Sequence, residues 1–453
     1  MMQNLQSLME TLSGWVWGPY MLILIVGTGV FLTFRLLFWQ FRMLPLAFKQ
    51  VFGKHPKDKN EGDISQFASL MTALSATIGT GNIAGVATAC VLGGPGAVFW
   101  MWMTALFGMA TKYGEGVLAV KYRIKNEKGE MSGGPMYYIE RGLGAKWKWL
   151  AIMFALFGTL ASFGIGSSVQ SNTVALAVEN SLGISTLTTA IVITVFSALV
   201  ILGGIKSISK ASSVIVPIMA LGYVIGGLVI IFSNLNLVMP ALEMIVTYAF
   251  TGEAAAGGAI GAAIRYGVAR GVFSNEAGMG SAPIAAAAAK TDHAARQGLV
   301  SMTGTFLDTI IVCSITGIVL VMGYITAGQS FGDQNGAVLT ISVFNQLLPG
   351  IGGWVVTFGI IFFAYSTILG WSYYGEKCCT YLLGDQSVIV YRLIYIASVF
   401  IGCVVSLDLV WLFADTFNGL MAVPNCIALL LLSGVIVKES KDFIARRKSG
   451  ELY

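Results

Sequence analysis

About eleven stretches of roughly 20 mostly apolar residues run through this 453-residue chain, each long enough to cross the hydrocarbon core of a bilayer as a helix. They lie near Trp15–Phe34, Gln66–Cys90, Gly94–Thr111, Leu150–Glu179, Ser185–Leu202, Val214–Phe232, Gly258–Ala289, Leu299–Thr326, Gly352–Tyr374, Leu393–Leu409 and Phe413–Val437. In lipid the backbone must satisfy its own polar groups, which leaves helices or closed barrels. The short alternating segments of barrel strands are absent. The chain therefore reads as an all-α polytopic membrane protein, with the lipid bilayer as its main partner. Charged residues make up 11% of it, against about 25% in soluble domains. That is too few to cover a water-soluble body, which excludes a cytosolic enzyme and a nucleic-acid binder.

Loops rich in lysine and arginine stay on the cytoplasmic side. Arg35, Arg42, Lys49, Lys54, Lys57 and Lys59 follow the first span, and eight basic residues from Lys112 to Lys148 follow the third. Lys206 and Lys210 follow the fifth, Lys290 and Arg296 the seventh, and Lys377 and Arg392 the ninth; Lys438, Lys441, Arg446, Arg447 and Lys448 lie in the tail. Alternate loops thus hold 25 of the 27 basic residues. An N-terminus outside the cell membrane and a cytoplasmic C-terminus satisfy this pattern. Arg265 and Arg270 remain, inside the seventh span. His55 and His293 fall in cytoplasmic loops, which argues against a histidine metal centre, and the six cysteines lack the paired spacing of a disulfide framework or zinc site.

Two spans contain glycine clusters at mid-membrane depth. The second has Ser75-Ala76-Thr77-Ile78-Gly79-Thr80-Gly81-Asn82-Ile83-Ala84-Gly85, and the seventh has Gly271-Val272-Phe273-Ser274-Asn275-Glu276-Ala277-Gly278-Met279-Gly280-Ser281-Ala282-Pro283. Glycine costs a helix interior about 1 kcal/mol relative to alanine, so both are expected break points. Both carry the spelling Asn-x-Ala-Gly, at Asn82–Gly85 and Asn275–Gly278. With the first span set aside, spans two to six and seven to eleven form two blocks of five, each opening with its interrupted helix. Five is odd, so the second block enters from the opposite side, as in the inverted repeats of secondary transporters. The expected division is a peripheral helix and linker over 1–65, five-helix repeats over 66–237 and 238–437, and a tail over 438–453.

The N-terminal end of a half-helix presents free N–H groups and a positive partial charge, which suits a carboxylate. Thr80, Gly81 and Asn82 are placed to supply it. Freed carbonyls at Phe273, Ser274 and Asn275 suit an ammonium group or a cation, so an amino-acid zwitterion fits the pair of breaks. In the ninth span, Ser366 and Thr367 with the Phe363 carbonyl can join carbonyls near Ser75 and Ile78 around a cation, or the two hydroxyls can simply bond back to their own helix. Gln170 is either a substrate ligand or glue between helices. Ionisable residues within the membrane are functional candidates. Glu276 is either a proton or cation site or the partner of Arg270 or Arg265 in a structural or gating pair, and Asp308 either faces the cavity or accepts bonds from Thr305 and nearby hydroxyls.

The stretch from Arg270 to Pro283, the run Gly79-Thr80-Gly81-Asn82-Ile83-Ala84-Gly85 and the eleven-span layout resemble the alanine or glycine:cation symporter family. The resemblance implies a leucine-transporter-like five-plus-five inverted repeat and uptake of alanine or glycine coupled to sodium, or to protons in some members. It places the substrate carboxylate at Thr80 and Gly81, and the shared sodium site at Ser75, Ile78, Phe363, Ser366 and Thr367. Phe273 and Trp371 are the side chains expected to crowd out larger substrates. No enzyme chemistry, organic cofactor or obligatory protein partner is implied. An ion channel and a proton-coupled amino-acid permease are the competing readings.

Overall fold

A computed structural model describes residues 2–53, 60–251, 260–405 and 408–452. Lys54, His55, Lys57 and Lys59 lie outside the described residues. Almost every element is helical; a two-stranded hairpin, Ile124–Lys125 with Met131–Ser132, is the only sheet among the described residues. Among the described residues, seven helical segments are long and apolar enough to span a bilayer. The expected eleven are completed by two broken helices, by the 25-residue Ala97–Lys121 and by the 16-residue Thr186–Ile201. Lipid-facing surfaces show as helical stripes of exposed apolar side chains, such as Leu187, Ile191 and Val195 on one helix and Val214, Ile218, Leu221 and Ile225 on the next.

We label the helices that build the centre. α1 (Met2–Val16) and α2 (Pro19–Arg35) precede the repeats. α3 (Gln66–Thr77) and α4 (Ala84–Gly93) are the halves of the first broken helix, and α5 is Ala97–Lys121. α6 (Lys148–Ala161) passes through a π turn, Ser162–Ser168, into α7 (Val169–Leu182). α8 (Ile260–Asn275) and α9 (Ala282–Ala287) are the halves of the second broken helix. α10 (Ala294–Thr305) continues through a π turn, Phe306–Cys313, and α11 (Gly352–Leu383) is the longest helix. α12 (Asp408–Leu420) and α13 (Ala422–Leu431) lead to a tail helix, α14 (Ser433–Lys448).

Local chemistry sets several of these ends. Ser65 caps α3 by accepting from the Ala68 N–H at 3.1 Å. Pro283 sits in the first turn of α9, where its missing N–H costs nothing. His293 caps α10 through Nδ1, which accepts from Ala295 N–H at 3.1 Å. Two helices fall in stretches read as loops, Leu235–Phe250 and Gly336–Leu347. The boundaries expected at 237/238 and 437/438 both fall inside helices.

Lys112 corrects the reading of the basic loops. It lies well inside α5, nine residues before its end, and is 2% exposed. The third span was drawn too short because a lysine looks like the start of a loop. His293 is likewise buried, with Nε2 donating to Asp442 Oδ2 of the tail helix at 3.0 Å.

The ends of the broken helices nearest the basic loops are strapped together. Ile64 O accepts from Lys290 N–H at 2.7 Å, Ala288 O accepts from Asp63 N–H at 2.8 Å, and Arg123 donates to the carbonyls of Ala287 and Ala289 at 2.9 and 2.6 Å. Deeper in, Ser69 Oγ donates to Ala285 O at 2.9 Å and Gln66 Nε2 to Thr291 Oγ1 at 3.1 Å.

Candidate functional site

Both glycine clusters do break their helices. The last backbone bond of α3 runs from Ile78 N–H to Leu74 O, 2.8 Å, and the chain then makes a tight turn over Thr80–Asn82 before α4 begins. Asn82 Oδ1 closes the turn by accepting from Gly79 N–H at 2.9 Å. Among the described residues, no hydrogen bond takes the amides of Thr80 and Gly81. In the second break the last helical bond runs from Glu276 N–H to Val272 O, 2.8 Å, so the carbonyls of Phe273, Ser274 and Asn275 fall beyond the ladder. The chain turns through left-handed conformations at Glu276, Gly278 and Gly280, with φ of 54°, 90° and 83°.

A small hollow lies between the breaks, lined by Thr77, Gly79, Thr80, Gly81, Ile165, Gln170, Phe273, Glu276, Thr367, Trp371 and Asn418 among others. Its free volume is about 20 Å³, room for about one water, so the chamber is shut in this conformation and admits an amino acid only when its walls move. A larger groove of about 390 Å³ near Val192 and Tyr365 is almost wholly apolar and fits an acyl chain better than a zwitterion.

The structure brings Thr80, Gly81, Gln170, Phe273 and Trp371 to this chamber, together with Glu276. A Cβ on Gly81 would sit 3.2 Å from the Phe273 ring, so only glycine leaves the space open. Gln170 is held by Nε2 donating to Ile165 O at 3.0 Å, leaving its buried Oε1 without a partner. Asn418 Oδ1 is a second buried, unpartnered acceptor on the wall, and nothing in the sequence singled it out.

Asn82, Ser274 and Asn275 point elsewhere. Asn82 Nδ2 donates to Asp308 Oδ1 at 2.7 Å, and Ser274 Oγ donates to Asp308 Oδ2 at 2.9 Å. One carboxylate therefore ties the first break to the end of α8, with Thr309 Oγ1 donating to it at 2.7 Å. Thr305 is not among its partners. Asn275 Oδ1 accepts from Ala277 N–H at 2.9 Å, shaping the second turn.

The expected pairing of Glu276 with Arg270 or Arg265 does not form. Glu276 Oε1 accepts from Trp371 Nε1 at 3.1 Å and Oε2 from Ser281 Oγ. Arg270 instead stands over the Phe273 ring, 5.7 Å from its centroid, in a vestibule also lined by Trp17, Arg265 and Asp415. Phe273 lines both hollows and separates them.

Of the oxygens expected to hold a cation, those of Ser75, Phe363, Ser366 and Thr367 lie close together. Ser366 Oγ lies 3.2 Å from Ser75 O and 2.9 Å from Phe363 O, and Thr367 Oγ1 lies 2.9 Å from Phe363 O. Both readings of these hydroxyls are therefore visible together: they bond back to their own helix, and Ser366 also faces the first break.

Residues 2–452 match the profile of the sodium:alanine symporter family. The chain belongs to this family. It is therefore a secondary active symporter and not an enzyme. It is 58% identical to the sodium/alanine symporter AgcS of Methanococcus maripaludis over 98% of each protein. It is 40% identical to a probable sodium/glutamine symporter, GlnT, of Bacillus subtilis, over 100% of this chain and 93% of that protein. Among solved structures, MhsT in complex with L-phenylalanine shares the fold with a TM-score of 0.57 at 14% identity, covering 83% of the symporter and 89% of MhsT. The five-plus-five architecture of leucine-transporter-like proteins is thus the architecture of this chain.

Proposed function

We propose that this symporter imports alanine or glycine together with sodium by alternating access. The observation that carries the reading is the pair of free amides at Thr80 and Gly81, facing a chamber closed by Phe273 and Trp371. A carboxylate accepts from those amides at the positive end of the turn, while the ammonium faces the Gln170 and Asn418 oxygens and the Glu276 carboxylate. Ile165, Phe273 and Trp371 crowd the chamber, so a hydrogen or methyl side chain asks for the smallest movement of its walls.

Sodium is the coupling ion in this reading, held by the carbonyls of Ser75, Ile78 and Phe363 and the hydroxyls of Ser366 and Thr367. Its arrival turns the two hydroxyl protons away from Phe363 O and fastens α11 to the first break. Arg270 and Phe273 serve as the outer gate, and the strap joining Ile64, Arg123, Ala288 and Lys290 as the inner one. The basic loops put that strap in the cytoplasm, with the N-terminus outside and the C-terminus inside the cell membrane.

Uptake of radiolabelled alanine into proteoliposomes, driven by a sodium or a proton gradient imposed one at a time, tests the reading. Sodium-driven accumulation, competed by glycine and weakly by glutamine, is expected. Accumulation driven by protons alone, or equal competition by glutamine, overturns it.

A further inference from the structure

A second small hollow, of about 20 Å³, lies beside the chamber, and Thr77 lines both. Its walls include Ser69, Lys112, Asn275, Gln297 and Thr305. Lys112 Nζ, Gln297 Oε1 and Thr305 Oγ1 are buried there without hydrogen-bond partners. A buried ammonium with no bonded partner is costly unless its surroundings are strongly negative.

α3 ends at Thr77 and α8 at Asn275, and both residues line this hollow, so the carbonyl ends of two half-helices border it, each equivalent to about half a negative charge. Glu115 stands three residues beyond Lys112 on the same helix, within reach along one face. Glu115 Oε1 accepts from the amides of Gly278 and Gly280 at 3.1 and 3.2 Å, and its Oε2 is buried without a partner. The other acids built into the breaks are Glu276, bonded to Trp371 and Ser281, and Asp308, bonded to Asn82 and Ser274. One acid and two helix ends thus border one fixed cation.

We infer that Lys112 is a positioning residue, a tethered cation that neutralises the inner faces of both breaks so that the carrier needs one mobile cation fewer to close around its substrate. It touches no substrate. Its ammonium lies where the half-helices end, and without it the carboxylates must draw a proton or a sodium ion from solution. The inference rests on the symport reading above, and its test separates the two.

The experiment measures alanine binding to the purified full-length protein across sodium concentration and pH, in the wild type, K112R, K112Q and K112Q/E115Q. In K112Q, alanine affinity is expected to fall at neutral pH and to gain a cation requirement. The gain reads either as affinity rising about tenfold per pH unit on acidification or as a sodium dependence steeper by one ion. K112R should keep the wild-type dependence, and K112Q/E115Q, which removes one charge of each sign, should lose the added requirement. The melting temperature of each variant against sodium and pH, without amino acid, gives the same comparison independently of substrate. Absence of sodium-stimulated alanine binding in the wild type sinks the symport reading, while the melting series still reports on Lys112.

A K112Q protein with wild-type sodium and pH dependence in both measurements overturns the inference. Should K112Q fail to fold, recovery of the fold in K112Q/E115Q supports it, and failure of the double variant as well overturns it.

Discussion

The two breaks were spelled alike and are built differently. The first is closed from within: Asn82 reaches back three residues to Gly79, and the amides of Thr80 and Gly81 stay free. The second is held from outside. Glu115 takes the amides of Gly278 and Gly280, while Asn425 Nδ2 donates to Glu115 Oε1 at 2.7 Å and to Gly278 O at 2.8 Å. A turn that caps itself leaves donors for a ligand, whereas a turn capped by neighbours has spent them on the fold. On the proposed reading the anion-holding end therefore belongs to the first break, and the second contributes carbonyls, Glu276 and the Phe273 lid.

Substitutions can break this contrast at either end. Gly81→Leu should give the largest effect, because its side chain runs into Phe273 and fills the chamber; sodium-driven alanine uptake should vanish while membrane insertion, followed by surface labelling, is unchanged. Normal uptake by this variant would remove the carboxylate site from the first break. Asp308→Ala strands donors from Asn82, Ser274 and Thr309, and hydrogen bonds to charged groups contribute about 1.5–3 kcal/mol each. A loss of at least about 4 kcal/mol in unfolding free energy is expected, with uptake failing in parallel. Gln170→Ala and Asn425→Ala then sharpen the comparison. The first should raise KM for alanine about tenfold, one hydrogen bond's worth, with little change in melting temperature. The second should lower the melting temperature, at a cost of about 1–2 kcal/mol, with KM nearly constant.

The smallest effect concerns the tail. His293 donates to Asp442 and holds its carboxyl below the usual carboxylate range. A depressed acid contributes above its unfolded value of about 3.9 and loses that contribution as pH falls through the lower folded value. Protection factors for hydrogen exchange along α14 should therefore be steady through neutral pH and fall only in acid, and Asp442→Asn should abolish that acid step.

Much of this was legible because lipid leaves few options. Apolar runs gave the polytopic helical class, and glycine clusters located both breaks. Thr80 and Gly81 with Phe273, Trp371 and Gln170 pointed to the chamber, and Ser75, Phe363, Ser366 and Thr367 do meet. The failures share a cause: they depend on which helix lies beside which. Glu115 meets Gly278 from 163 positions away and Asn425 from 310, and no periodicity carries that information. The word Asn-x-Ala-Gly was a false register. Asn82 ends its turn, whereas Asn275 ends the half-helix before its own. Lys112 reads as a loop residue because charge is usually a sign of water, and the expectation that Glu276 pairs with Arg270 or Arg265 rests on the cost of an unpaired charge in lipid, whereas Trp371 and Ser281 are its partners.

Phe273 forms a wall of both the vestibule and the chamber. The route inward from that vestibule is therefore a single partition thick, and an amino acid crossing it hardly travels at all. Most of the displacement in a transport cycle then belongs to the polypeptide, and turnover should track the viscosity of the surrounding lipid more closely than the diffusion of the solute.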